Sequence, residues 1–189
     1  KHLWQAPFSL HTNMLAAIHA ETAAARDQQP ARIIAKMNSL LEPKIIEALY
    51  EASQAGVTID LIVRGVCSLR PGVNGLSENI RVRSVIGRFL EHHRIFYFHA
   101  QGAQHIYLSS ADWMERNFFR RIEVSFPVLD PKLKRRIFKE GLQPYLADNT
   151  QAWEMNSQGN YLIKPTKRSR ICAQERLLSA LQVSSINGL

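Results

Sequence analysis

Apolar and polar positions switch period repeatedly along this chain, and the switches mark out alternating helices and strands. After an extended lead-in at Ala6–Ser9, Leu15, Ile18 and Thr22 recur at helical spacing, predicting a helix from about Thr12, its N-cap, to Arg26; Asp27-Gln28-Gln29-Pro30 stops it. Arg32–Asn38 has the β-branched character of a buried strand. Glu42-Pro43 opens a second helix, with Pro43 in the first turn, Ile45, Ile46, Leu49 and Tyr50 facing inward, and Gly56 just beyond Ala55 to end it. Val57–Val63 is an almost unbroken apolar run and the clearest strand. Strand, helix and strand at this spacing imply a right-handed parallel crossover, so the fold class is α/β.

The second strand ends at Arg64-Gly65 and runs into a Gly-, Pro- and Asn-rich loop from Val66 to Asn79. Loops beyond the carboxyl ends of parallel strands are where α/β sheets bind ligands, which puts Arg64 in a functional place. Ile80–Val85 alternates like a strand with one basic face, and Gly87–Glu91 reads as a short turn of helix. IFYF and HIYL, separated by a Gly-containing turn, read as a hairpin. Arg120–Val128 alternates with period two and predicts another strand. Asp130 then caps a helix that has Pro131 as its first residue and runs to about Leu146, with Lys132, Lys134, Arg135, Arg136 and Lys139 as a solvated face. Residues 147–160 read as loop, 161–163 as a short edge strand, 164–170 as a basic connector and 171–182 as a terminal amphipathic helix. No internal repeat interrupts this order.

Composition adds a sign of charge. Lys and Arg total 24 against 16 Asp and Glu in 189 residues, giving +8 and a pI near 9.8, which favours polyanionic partners without choosing among them. The apolar runs fall short of a bilayer span and the first residues lack a signal-peptide core, so a cytoplasmic protein is expected. Cys67 and Cys172 stand far apart with no C-x-x-C or Cys/His cluster, which argues against a structural zinc site or a disulfide framework and predicts reduced thiols. The opening without Met suggests a segment of a longer protein.

The chemistry concentrates between Phe89 and Asn117. A His-x-Arg step, His92 to Arg94, precedes the hairpin, and Ser109-Ser110-Ala111-Asp112 follows it. Two strands joined by a tight turn return to one rim, so His92, Arg94, Ser110 and Asp112 can converge there. Histidine can donate a proton or act as nucleophile near neutral pH, arginine clamps phosphate oxygens through its fork, and hydroxyls orient. His92 and His93 are adjacent, and only His92 makes the step that shares a face with Arg94.

His92-x-Arg94 and Ser109-Ser110-Ala111-Asp112 together resemble a degenerate His-x-Lys and Gly-Ser-x-Asn signature of the phospholipase D superfamily. IDLIVRGVCSL, FLEHHR, YLSSADWMERN and RRIEVSFPVLDPKLK, in that order, are similar to the last domain of the long-form bacterial polyphosphate kinases, over about residues 4–182. The resemblance implies a phospholipase D-like mixed sheet flanked by helices with a C-terminal helical appendage, residues 1–189 forming one such domain with 147–189 packed on it. It further implies ATP/ADP and inorganic polyphosphate as substrates, magnesium accompanying ATP with its ligands outside this chain, and a phosphohistidine in the preceding domain of the same protein. On it, Arg64 matches an ATP-phosphate-binding arginine and His92 the second active-site histidine; Arg94 and Arg121 are candidates for the phosphate path, and Ser110 and Asp112 for orientation. A homo-oligomer, a cytoplasmic enzyme with possible peripheral membrane association, and no role for nucleic acid go with it. The superfamily lysine is Arg94 here, which fits a half-site that assists. The alternatives are a phospholipase D-like phosphodiesterase or nuclease half-site, and a non-catalytic polyanion-binding module resting on residues such as Arg81, Arg83 and Lys134.

Overall fold

A computed structural model describes residues 3–100, 102–163 and 169–186; the basic connector foreseen at 164–170 lies largely outside them. Among the described residues a nine-stranded sheet runs in the order β1-β7-β6-β5-β2-β3-β4-β8-β9. Its centre is the predicted crossover. β2 (Arg32–Met37), α2 (Pro43–Gln54), β3 (Thr58–Val63) and β4 (Ile80–Val85) form the parallel part, Met37 standing opposite Val63. β5 (Arg94–Ala100) pairs antiparallel with β2, and the hairpin continues through β6 (Ala103–Ser109) to β7 (Glu123–Pro127) and the edge strand β1 (Trp4–Ala6). The sheet is therefore mixed.

Each central strand is apolar on both sides, as a sheet covered on both faces requires. Ile33, Ala35, Met37, Leu61 and Phe96 face α1 (Leu10–Arg26) and α2, while Ile34, Ile62, Ile95 and Tyr97 face the C-terminal helical layer with Leu142, Tyr145 and Ala173. Glu42 caps α2 by accepting the Ile45 amide at 2.7 Å, and Gly56 leaves the helix at φ +99°, a conformation that favours glycine. Asp130 likewise accepts the Leu133 amide at the start of α4 (Pro131–Ile137), which continues through a π-helical turn, Phe138–Leu142, into α5 (Gln143–Ala147).

Several boundaries differ from the sequence reading. Thr12 is not an N-cap: α1 starts at Leu10 and buries the stripe Leu10, Met14, Ile18, because β1 ties the lead-in to the sheet and brings the helix in earlier. The strand predicted over Arg120–Val128 begins only at Glu123, with Arg120 closing the short helix α3 (Glu115–Phe119). Within the expected loop 147–160, Ala152–Met155 forms β8 against β4, and β9 (Tyr161–Leu162) adds the foreseen edge. Gly87–Glu91 is not helical. It is an irregular segment held by contacts from elsewhere in the chain. The terminal helix, α6, spans Ala173–Ile186.

Glu21, on the sheet side of α1, is wholly buried and accepts the Arg32 amide at 2.9 Å. Burial pushes its carboxyl up to about 7, against the pull of backbone amides. A carboxyl raised above its unfolded value of 4.5 holds its proton more tightly in the fold, so its contribution is fully present below 4.5 and is lost as pH rises through 7. Denaturant unfolding at pH 5 and pH 8 should show wild type losing more stability over that interval than Glu21→Gln. Parallel profiles would contradict this.

Candidate active site

Register brings the site together. Asn38 and Arg64 follow β2 and β3, whose last residues pair; Arg94 opens β5 beside β2; and Asp112 follows β6, whose last residue, Ser109, stands opposite Arg94. All four reach one rim of the sheet. Their centre is the Asp112 carboxylate, 6% exposed. Its Oδ1 accepts the Asn38 amide at 2.7 Å, the Ser39 amide at 3.3 Å and Arg94 Nε at 3.2 Å; its Oδ2 accepts from an Arg94 Nη at 3.0 Å. Asn38 donates its side-chain amide to both carboxylate oxygens and accepts Arg64 Nε at 3.1 Å. Burial works to raise the Asp112 carboxyl, but the Arg94 hydrogen bonds, the Asn38 backbone amide and the Arg94 charge outweigh it and hold it below the ordinary value.

Two groups are left facing outward. Arg64 uses Nε on Asn38, and both its Nη nitrogens are without a partner among the described residues. His92 is exposed, and its imidazole makes no hydrogen bond among them; its carbonyl accepts the other Arg94 Nη at 2.9 Å. Arg94 itself is largely buried and committed to Asp112 and His92, so it braces the rim instead of standing free as a clamp. Ser110 turns to β7, its hydroxyl bonded to the Glu123 carboxylate and to the Val124 amide. Arg121 stands exposed before β7, and among the described residues no hydrogen bond or ion pair joins it to the Asp112 network.

His93 points the other way. Its Nε2 lies 2.6 Å from Lys36 Nζ, which also donates to Glu91 at 2.7 Å and sits 3.3 Å over the Tyr145 ring. Lys36 is 3% exposed, and burial pulls its ammonium down to about 8 against the opposing pull of Glu91. Burial and the Lys36 charge push His93 down to about 4, so it meets Lys36 as a neutral acceptor. The sequence reading missed this cluster and Asn38. A lysine inside an apolar strand run was the available signal for Lys36, and the equal position of Asn38 and Arg64 after paired strands was the signal for Asn38.

Among the described residues no group of three or more His, Cys, Asp or Glu could hold a metal ion, and the rim's own carboxylate is saturated by Arg94 and Asn38. Two of the basic residues behind the polyanion-module reading are engaged internally: Arg83 binds the Tyr145 and Leu146 carbonyls and Glu154, and Lys134 binds the Gln104 carbonyl.

Comparison with known proteins decides the family. The profile for polyphosphate kinase C-terminal domain 2 matches residues 3–174. The chain belongs to this family. Polyphosphate kinase from Burkholderia multivorans is 65% identical over 159 residues, 84% of this chain and 23% of that protein, so the chain spans about a quarter of such a relative. The crystal structure of polyphosphate kinase from Porphyromonas gingivalis superimposes with a TM-score of 0.93 at 37% identity, covering 99% of this chain and 29% of that one. Nuc from Salmonella typhimurium, a phospholipase D family member, shares the fold at a TM-score of 0.58 and 16% identity, over 82% of this chain and 97% of its own. The fold of this polyphosphate kinase domain is thus phospholipase D-like. No described helix is long and apolar enough to cross a membrane.

The rim predicts its own weak point. Asp112→Asn keeps the shape but strands the buried Arg94 charge, which should cost roughly 3–5 kcal/mol in unfolding free energy. Because the Asp112 carboxyl is held below its ordinary 3.8, its contribution is present above that value and lost as pH falls through the folded one. The acid limb of the stability profile should therefore flatten in the variant. A variant as stable as wild type at pH 7 would remove Asp112 from the centre of the site.

Proposed function

We propose that this domain is the C-terminal catalytic domain of a polyphosphate kinase that reversibly transfers the terminal phosphate of ATP to inorganic polyphosphate. The nucleophilic histidine is supplied by a preceding domain of the full-length protein. One observation carries the reading: an exposed imidazole, His92, and a guanidinium with free Nη nitrogens, Arg64, are held at one rim by a single buried network centred on Asp112. Phosphoryl transfer needs positioning and charge stabilisation more than covalent chemistry from every partner. Arg64 takes oxygens of the moving phosphate through its Nη nitrogens, and His92 orients or protonates the departing oxygen. Arg121, exposed beyond the network, lies on the path of the chain, and magnesium enters on the triphosphate as part of the substrate. Exposed Val66, Ile86 and Leu90 on loops beside the rim support closure by a neighbouring domain; the full-length protein would be a cytoplasmic homo-oligomer.

A phosphodiesterase half-site is the second reading, favoured by the fold shared with Nuc. Against it, the residue in the place of the signature lysine is Arg94, and its charge is spent on Asp112. In the full-length enzyme, Arg64→Ala should lower ATP-dependent chain growth about 100- to 1,000-fold and His92→Ala about 100- to 10,000-fold. Wild-type rates in both would defeat the assignment. The isolated domain, incubated with labelled ATP, should retain no acid-labile phosphate and bind polyphosphate weakly, with affinity falling steeply with salt; stable phosphorylation of His92 would reverse the division of labour.

A further inference from the structure

His92 lies in an irregular segment, 86–93, between β4 and β5, with neither helix nor strand to fix it. Its downstream side is held through its carbonyl by Arg94. Its upstream side is held by one side chain from the C-terminal helix. Gln174, 5% exposed in the first turn of α6, accepts the Phe89 amide through Oε1 at 2.9 Å, donates through Nε2 to the Phe89 carbonyl at 2.8 Å, and donates to Glu91 Oε1 at 2.8 Å. Glu91 is in turn bound through its other oxygen to Lys36 of β2. The amide therefore reads the segment like a neighbouring strand, pairing donor and acceptor of one residue and fixing a side chain two positions on.

The start of α6 is itself anchored, so the amide is presented from a fixed point. Asp148 accepts the Ala173 amide at 2.8 Å while capping Thr150, Gln151 and Ala152, and Asn149 exchanges hydrogen bonds with Ile171. Gly87 fits the same contact from the segment's side. A Cβ there would stand 2.3 Å from Gln151 Oε1 and 2.5 Å from Gln174 Oε1, so a side chain at this position crowds both amides.

We infer that Gln174 is a positioning residue for His92, through which the C-terminal helix sets the place of the imidazole at the transferring phosphate. The inference rests on the proposed role of His92. Gln174 touches no substrate; it acts by holding Phe89 and Glu91, and hence the backbone from which His92 projects. Displacement of a reacting group by about 1 Å can cost on the order of 100-fold in rate.

The test is a double-mutant cycle in the full-length polyphosphate kinase, measuring kcat and the KM for ATP. Gln174→Ala should lower kcat about 10- to 100-fold while the ATP KM, set largely by Arg64 and groups outside the segment, changes less than about threefold. In a His92→Ala background the same change should cost less than about twofold, since there is no imidazole left to place. Gly87→Ala, which crowds the Gln174 amide together with that of Gln151 from the opposite side, should reproduce the loss and carries the test where Gln174→Ala yields too little folded enzyme. Glu175→Ala, exposed on the same helix, should leave the rate unchanged. Equal fold-losses with and without His92 would show that Gln174 only stabilises the fold, and a wild-type kcat in both Gln174→Ala and Gly87→Ala would remove the contact from catalysis. If His92→Ala alone kept the wild-type rate, the reading of His92 would fail first, and this inference with it.

Discussion

The buried pairing of Asp112 with Arg94 and Asn38 is the interaction on which the rim depends. A carboxylate with so little exposure is tolerable only when its lone pairs are met, and here backbone amides, a side-chain amide and a bidentate guanidinium meet them. Each partner comes from a different stretch of chain. Asn38 ends β2, Arg94 begins β5 and Asp112 follows β6, so the carboxylate converts the register of separate strands into one rigid platform. Arg64 joins through Asn38, which places its remaining donors without adding a second buried charge.

In the proposed function, the platform lets the domain assist phosphoryl transfer instead of acting alone. With Arg94 bound to Asp112, the pair is internally neutral and contributes rigidity, leaving the outward positive charge to Arg64. Among the described residues the imidazole of His92 makes no hydrogen bond, while its backbone is tied down on both sides. Functional groups are thus free at the tip and fixed at the root, as preorganised electrostatic stabilisation requires.

Those parts of the fold whose cause is local were legible in the sequence. β2, α2 and β3 follow from apolar period, Pro43 and Gly56, and the hairpin that returns Arg94 and Ser109 to one rim follows from alternation around a Gly-containing turn. The convergence of His92, Arg94 and Asp112 came from that geometry, and Arg64 from its place at a strand end. The segment 87–91 was misread as helix because its conformation is set by Gln174 and Lys36, 85 and 55 residues away in the chain. β8 was missed for a related reason. AWEM has no strand period of its own and becomes one by pairing with β4, where Arg83 meets Glu154 across the register.

The adjacent histidines show how the same side chain takes opposite duties within one step of the chain. His93 turns into the Lys36, Glu91 and Tyr145 cluster, where an ammonium 2.6 Å from its ring nitrogen makes a second positive charge costly and keeps the ring a neutral acceptor. Among the described residues His92 makes no such contact, and Arg94 fixes the His92 carbonyl between the two rings. A charged buried lysine in a strand would otherwise be a liability; here its ammonium is satisfied by Glu91, His93 and the Tyr145 ring, and the cluster becomes the inner support of the arm that carries the outward histidine. The chemistry at the rim and the packing beneath it are two sides of the same eight-residue segment, 86–93.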